Sequence, residues 1–243
     1  MISKSQIKLI TRLQQKKYRN KTGLFVAEGR KIISEFLAEN RELYTLYVTC
    51  EDLFPEQRIT VLSEKELARV SFLKTPNNCL AVFKIPVLKL QLKQGLIVAL
   101  DAIRDPGNLG AIIRLCDWFG VLQIVCSLDT VDCYNPKVVQ ASMGSLARVS
   151  VAYTNLDEFL KKTALPVLGA CLDGENMYKT QLPENAVLVM GNEANGISPE
   201  IESVLTQKVT IPRFGNLQKP ESLNVATATA IVLSRLRGGM GEG

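Results

Sequence analysis

The sequence predicts a two-part α/β protein: a small α/β unit over residues 1–90, then a larger unit over residues 91–243 built on a parallel sheet. Three observations predict it. From Leu96 onward, short apolar runs near 96–101, 121–126, 149–153, 166–172, 187–190 and 208–211 alternate with helical patterns near 109–119, 136–146, 156–163, 199–205 and 222–237. Such alternation covers a parallel sheet on both faces. The first ~85 residues alternate too, in shorter and more basic pieces. Between the two lies Pro86–Gly95, which follows a proline and ends at a glycine, with lysines between its apolar residues. It reads as a linker, although its Leu-x-Leu alternation also suits an edge strand.

Taken in order, a basic helix is predicted over Ser3–Lys17, followed by a loop from Tyr18 to Gly23. A strand at Leu24–Ala27, a helix at Arg30–Glu39 and a strand at Leu43–Thr49 come next, then strand Ile59–Leu62, helix Glu64–Val70 and strand Cys79–Ile85. In the second part, Leu96-Ile97-Val98-Ala99-Leu100 ends in Asp101, the pattern of a buried parallel strand. The turn Arg104-Asp105-Pro106-Gly107 leads into a helix for which Asn108 reads as the cap and Gly120 as the terminator. Val187–Met190 breaks at Gly191 into Asn192-Glu193-Ala194-Asn195-Gly196, and Val209–Ile211 breaks at Pro212 into a loop closed by Ser222-Leu223-Asn224-Val225. Buried strands that end in loops of small and polar residues form crevices at their carboxyl ends, where open α/β sheets bind ligands.

Composition excludes several chemistries. The chain has no histidine, which removes Ser-His-Asp and Cys-His nucleophile systems, the commonest general base and the usual zinc ligand. The six cysteines never form C-x-x-C and read as reduced thiols of a cytoplasmic protein, with no metal site expected. No apolar run is long enough to span a bilayer, and the start, Met1-Ile2-Ser3-Lys4, has no signal-peptide apolar region. The net charge of +5 is uneven: residues 1–35 hold nine basic side chains against Glu28 and Glu35, and the rest of the chain is net −2. Such a field suits a surface that meets phosphates, and equally a solvated amphipathic helix. Lys16, Lys17, Arg19, Lys21 and Arg30 are the candidate phosphate contacts.

Three motifs carry a resemblance. Asn108-Leu109-Gly110-Ala111-Ile112-Ile113-Arg114 follows a strand, Gly191-Asn192-Glu193-Ala194-Asn195-Gly196-Ile197 follows another, and Ile211-Pro212 precedes Ser222-Leu223-Asn224-Val225. In this order they resemble the motifs of the SpoU/TrmH-type RNA ribose methyltransferases of the SPOUT superfamily. Residues 19–33, R-N-K-T-G-L-F-V-A-E-G-R-K-I-I, are similar to the start of the ribosomal-protein-like substrate-binding domain that precedes many such catalytic domains.

The resemblance implies a C-terminal trefoil knot, S-adenosyl-L-methionine as cofactor, a ribose 2′-hydroxyl in RNA as substrate and a homodimer. Ribosomal RNA is favoured over tRNA. It assigns Arg114, Asn108, Glu193, Ser222 and Asn224 to catalysis, and Gly191, Ile211, Leu223, Gly196 and Gly215 to the cofactor loops. Arg114 would act on the hydroxyl, either as its base or, since guanidinium stays protonated, as a phosphate clamp and alkoxide stabiliser. The loop 212–221 is longer than the usual family form, which leaves contacts by Asn216 or Leu217 open. Two other readings stand beside this one: a catalytically inactive RNA-binding assembly factor of the same fold, and a nicotinamide-dependent oxidoreductase. Against the latter, Gly107-Asn108-Leu109-Gly110 is not G-x-G-x-x-G.

Overall fold

The computed structural model describes residues 1–54, 57–87, 95–214 and 222–238. The chain divides into two compact units. The first holds the described residues up to 87 together with Asp132–Ala147, and the second holds those between 95 and 131 and from 148 onward. A division of the sequence near residue 90 therefore leaves one excursion, 132–147, packed with the N-terminal unit.

The first unit is a four-stranded sheet in the order β1-β4-β2-β3, formed by Leu24–Glu28 (β1), Leu43–Val48 (β2), Thr60–Val61 (β3) and Cys79–Lys84 (β4). β4 is antiparallel to both neighbours, and β3 runs parallel to β2. One face buries Leu24, Val26, Tyr47, Leu80 and Val82 with Ile10 and Leu67 from helices and Leu13 and Val70 just beyond helix ends. On the other face Phe25 lies 5.3 Å from Phe36 and 4.7 Å from Tyr134, ring centroid to ring centroid. Helices Lys4–Arg12 (α1), Lys16–Thr22 (α2), Arg30–Ala38 (α3) and Glu64–Ala68 (α4) belong to this unit.

The N-terminus differs from the single helix and loop expected from sequence. Ser3 and Gln6 form a reciprocal capping box at the start of α1, but the helix stops at Arg12, and 16–22 is helical where a loop from residue 18 was expected. The cause is Arg19. Its Nη1 donates to the carbonyls of Leu13 (2.8 Å) and Gln14 (2.9 Å), which would otherwise accept from the next turn of a continuing helix. Its Nε donates to Asp132 Oδ2 at 2.8 Å, with Nη2 bonded to the same oxygen. At 2% exposure Arg19 is a buried structural cation, so it does not reach an RNA phosphate as the charge pattern suggested. Lys16, Lys17, Lys21 and Arg30 are exposed.

Burial also shapes Glu28, at 5% exposure. Desolvation raises its carboxyl above the ordinary range, against bonds from the Ser71 hydroxyl and the Phe72 N–H that favour the charged form.

The second unit is a six-stranded, wholly parallel sheet in the order β10-β8-β9-β5-β6-β7. Its strands are Leu96–Leu100 (β5), Gln123–Cys126 (β6), Ser150–Tyr153 (β7), Val167–Asn176 (β8), Ala186–Met190 (β9) and Gln207–Thr210 (β10). Helices Pro106–Trp118 (α5), Leu156–Lys162 (α7), Pro199–Glu202 (α8) and Val225–Gly238 (α9) connect or flank them. Pro136–Ala141 (α6) lies in the excursion and packs on β1.

β5 and β9 are buried along their whole length, as the continuous apolar runs required. β8 extends four residues beyond the predicted 172, because Gly174 lets β10 come close: a Cβ there would lie 2.5 Å from the Val209 carbonyl carbon. The knot implied by the resemblance would take in about the last third of this unit, of which residues 215–221 and 239–243 lie outside the described residues.

Four of the six cysteines, Cys79, Cys116, Cys126 and Cys133, are buried, and all six are free thiols. Burial pushes Cys79 up to about 11 and Cys116 higher still, which suits inert core thiols. Cys171, Asp173 and Glu202 bring three potential metal-ligand atoms within 4.8 Å of one another, but the Lys208 ammonium is bonded to both carboxylates. No helix among the described residues is long and apolar enough to cross a membrane.

Candidate active site

Strand order reverses direction between β5 and β9, and the carboxyl ends of neighbouring strands at such a switch point diverge into a ligand crevice. The motif residues gather there. Asp105, not Asn108, caps α5: its Oδ1 accepts from the Asn108 N–H at 2.8 Å, and Pro106 takes the first helical position. Asn108 therefore sits in the first turn with its side chain released for other bonds. Its Nδ2 donates to Glu193 Oε1, and its Oδ1 accepts from Asn224 Nδ2 at 2.9 Å.

Asn224 is the cap of α9, its Oδ1 accepting from Ala226 N (2.9 Å) and Thr227 N (3.3 Å). The bonds run in one direction, from the N–H groups at the start of α9 through two amides to a carboxylate. Each amide orientation is thereby set by its neighbours, and the positive end of the helix is relayed toward Glu193.

The Glu193 loop is pinned to β5 by residues that the motifs did not single out. Asp101, 7% exposed, accepts from Ser198 N at 2.7 Å. Ala102 carries a φ of 57°, a conformation that costs a non-glycine residue energy. The turn directs its carbonyl to Asn192 Nδ2 at 2.7 Å and its N–H to Ser127 Oγ at 2.9 Å. Asn192 and Gly196 exchange two backbone bonds of 2.8 Å. Gly191 lies so close beneath this turn that a Cβ would meet Ile197 N at 2.3 Å. An acid closing an apolar run was the only sequence signal for Asp101; nothing local marked Ala102, Asn192 or Ser127.

Arg114 lies on the exposed face of α5, with no hydrogen-bond or ion-pair partner among the described residues. One turn further on, Trp118 is 84% exposed. Ser222 is exposed and is not joined to the amide network. For the cofactor, Ile211 and Leu223 flank loops at the ends of β10 and before α9, and their backbone N–H and C=O groups have no backbone partner among the described residues. Backbone N–H and C=O groups at these loop ends and at the tight Gly191–Gly196 turn are of the type that can read an adenine edge. Gly215 lies outside the described residues.

The SpoU rRNA Methylase family matches residues 95–234, and the chain belongs to it. Residues 4–81 match the MRM3-like substrate binding domain. The chain is 32% identical over 237 residues to the 23S rRNA (guanosine(2553)-2′-O)-methyltransferase RlmP of Bacillus subtilis, covering 93% of this chain and 94% of the relative. Among solved structures, a putative RNA methyltransferase of the TrmH family from Porphyromonas gingivalis superposes with a TM-score of 0.90 at 38% identity, covering 98% and 99% of the two chains. An AdoMet-bound rRNA methyltransferase from Sinorhizobium meliloti gives 0.88 at 28% identity, covering 100% and 98%.

Proposed function

We propose that this chain methylates a ribose 2′-hydroxyl of ribosomal RNA, using S-adenosylmethionine. The observation that carries the reading is the Asn224–Asn108–Glu193 relay, whose Asn108 stands on the same helix as Arg114, a cation with no partner among the described residues. When bound, the cofactor supplies a methyl group already activated on a sulfonium. What remains for the protein is to hold the hydroxyl in line, exclude water and stabilise charge on its oxygen as the proton leaves.

Arg114 clamps the phosphate beside the target and stabilises the developing alkoxide; its guanidinium does not give up a proton for use as a base. Glu193 and Asn108 hold the crevice, Ser222 and Asn224 line its other side, and backbone groups of Gly191, Gly196, Ile211 and Leu223, with Gly215, hold the cofactor. Lys16, Lys17, Lys21 and Arg30 grip the RNA, residues 1–90 acting as the substrate-binding domain and 91–243 as the catalytic one. The reading carries a cytoplasmic location, where ribosomal RNA is found.

The deciding experiment maps 2′-O-methyl positions in ribosomal and transfer RNA from cells with and without this protein. The B. subtilis relative's name makes guanosine 2553 of 23S rRNA the first position to inspect. Loss of one ribosomal methyl mark is the expected result. An unchanged map sinks the reading in favour of an inactive RNA-binding factor.

The relay makes a sharper prediction. Asn224→Asp keeps the cap of α9, and an anion there suits the helix, so unfolding free energy should change by less than about 1 kcal/mol. Its carboxylate no longer donates to Asn108, whose amide must turn its oxygen toward Glu193 or face a second anion. Methyl transfer should fall by roughly tenfold or more. A turnover equal to wild type removes the relay from the mechanism.

A two-fold homodimer belongs to the same reading. Of the apolar side chains of α9, Val225, Val232 and Leu236 are buried within the chain, and Ala228 and Ile231 are half-buried. An open groove of about 640 Å³ lined by Phe119, Tyr178, Ile231 and Arg235 remains, and Trp118 and Leu122 are exposed on the segment that ends α5. Trp118→Lys is expected to shift the mass in solution from dimer to monomer and to lower activity. A fully active wild-type monomer at micromolar concentration overturns the dimer.

A further inference from the structure

The break between α1 and α2 assembles something that a continuous helix cannot. Residues 12 and 18 on one unbroken helix would project about 120° apart around its axis. In the folded unit, Arg12 Cζ instead lies 4.9 Å from the centroid of the Tyr18 ring, and Lys17 Nζ lies 5.0 Å from the same centroid. The buried Arg19 makes the break by taking the Leu13 and Gln14 carbonyls. Both cations are exposed, Tyr18 is half-buried, and neither cation has a carboxylate partner among the described residues. No acidic residue occurs before Glu28. Two like charges that would spread apart in water are each attracted to one aromatic quadrupole and kept as a pair.

We propose that Arg12, Tyr18 and Lys17 form a phosphate clamp for the RNA backbone, with Tyr18 as the residue that holds the two cations together. It rests on the RNA-binding part of the function proposed above. The occupant is a phosphodiester, because the ring already serves the two cations and residues 1–27 carry basic side chains and no acidic ones. Pre-organised cations lose less side-chain entropy on binding than free ones, so the ring contributes affinity without touching the RNA.

The test measures binding of the full chain to unmodified 23S rRNA transcribed in vitro, across 50 to 200 mM salt. Tyr18→Phe keeps the quadrupole and should leave Kd within about twofold of wild type. Tyr18→Leu should raise Kd roughly fivefold at low salt and make the salt dependence shallower. Arg12→Gln with Lys17→Gln removes both contacts and should reduce the log–log salt slope by about 1.4 to 1.8.

Wild-type affinity and slope in Tyr18→Leu overturn the clamp. A loss of affinity in Tyr18→Leu with an unchanged slope overturns it in favour of a base stacked on the ring. If Tyr18→Leu fails to fold, the surface double variant decides, and an unchanged slope there overturns the clamp. Failure of wild type to bind RNA at all sinks the functional reading and the clamp with it, whereas the other negative results leave that reading standing.

Discussion

Arg114→Ala is expected to lower methyl transfer by about two to three orders of magnitude while leaving cofactor affinity and stability nearly unchanged. The guanidinium is exposed and has no partner among the described residues, so its removal breaks no bond of the free protein. Surface changes of that kind move stability by no more than about 0.5 kcal/mol. The cofactor is assigned to backbone groups of other loops, so its binding should not register the change. The loss falls on the chemical step, where charge develops on the ribose oxygen. Arg114→Lys keeps the charge but not the planar fork and should recover only part of the rate. Single-turnover methyl transfer and calorimetric titration with S-adenosylmethionine separate the two quantities. Activity within a few-fold of wild type removes Arg114 from the mechanism.

Asp132→Ala is expected to destabilise the first unit by about 3–5 kcal/mol, because it strands a buried guanidinium. The Arg19 side chain is 2% exposed and that of Asp132 12%, so water cannot substitute for the lost carboxylate. The ion pair joins α2 to the excursion 132–147, and Arg19 also holds the break between α1 and α2. Replacing both partners by apolar residues of similar volume should cost far less than either single change, since no charge is left unpaired. Added salt should not relieve the defect, as it would for a surface pair. Urea denaturation read by circular dichroism checks each point. A loss under 1 kcal/mol in Asp132→Ala would falsify the structural role given to Arg19.

The two arginines show where a sequence stops being informative. The exposed place of Arg114 on α5 was legible because Asn108, Gly110 and Arg114 stand at set distances after a strand, and such local order survives folding. Arg19 stands in an equally basic stretch and was assigned to RNA with its neighbours. Its partner is 113 residues away, and no charge count along the chain can pair them. The cap of α5 shows the same limit on a smaller scale. Asn108 is a good cap by residue type, yet Asp105 takes that place and frees Asn108 for Glu193.

What the sequence determined by itself is the parallel sheet, the order of its strands and helices along the chain, and the motif loops at the strand ends. Apolar periodicity, glycine breaks and residue spacing are local, so they need no knowledge of the fold. Only the tertiary structure decided which polar groups meet. It joined Asn224 to Asn108 across 116 positions, set Asp101 against Ser198 across 97, buried one arginine of the basic stretch and left its neighbours in solvent. Hydrogen bonds and ion pairs act over a few ångströms, and which residues come that close is settled by packing.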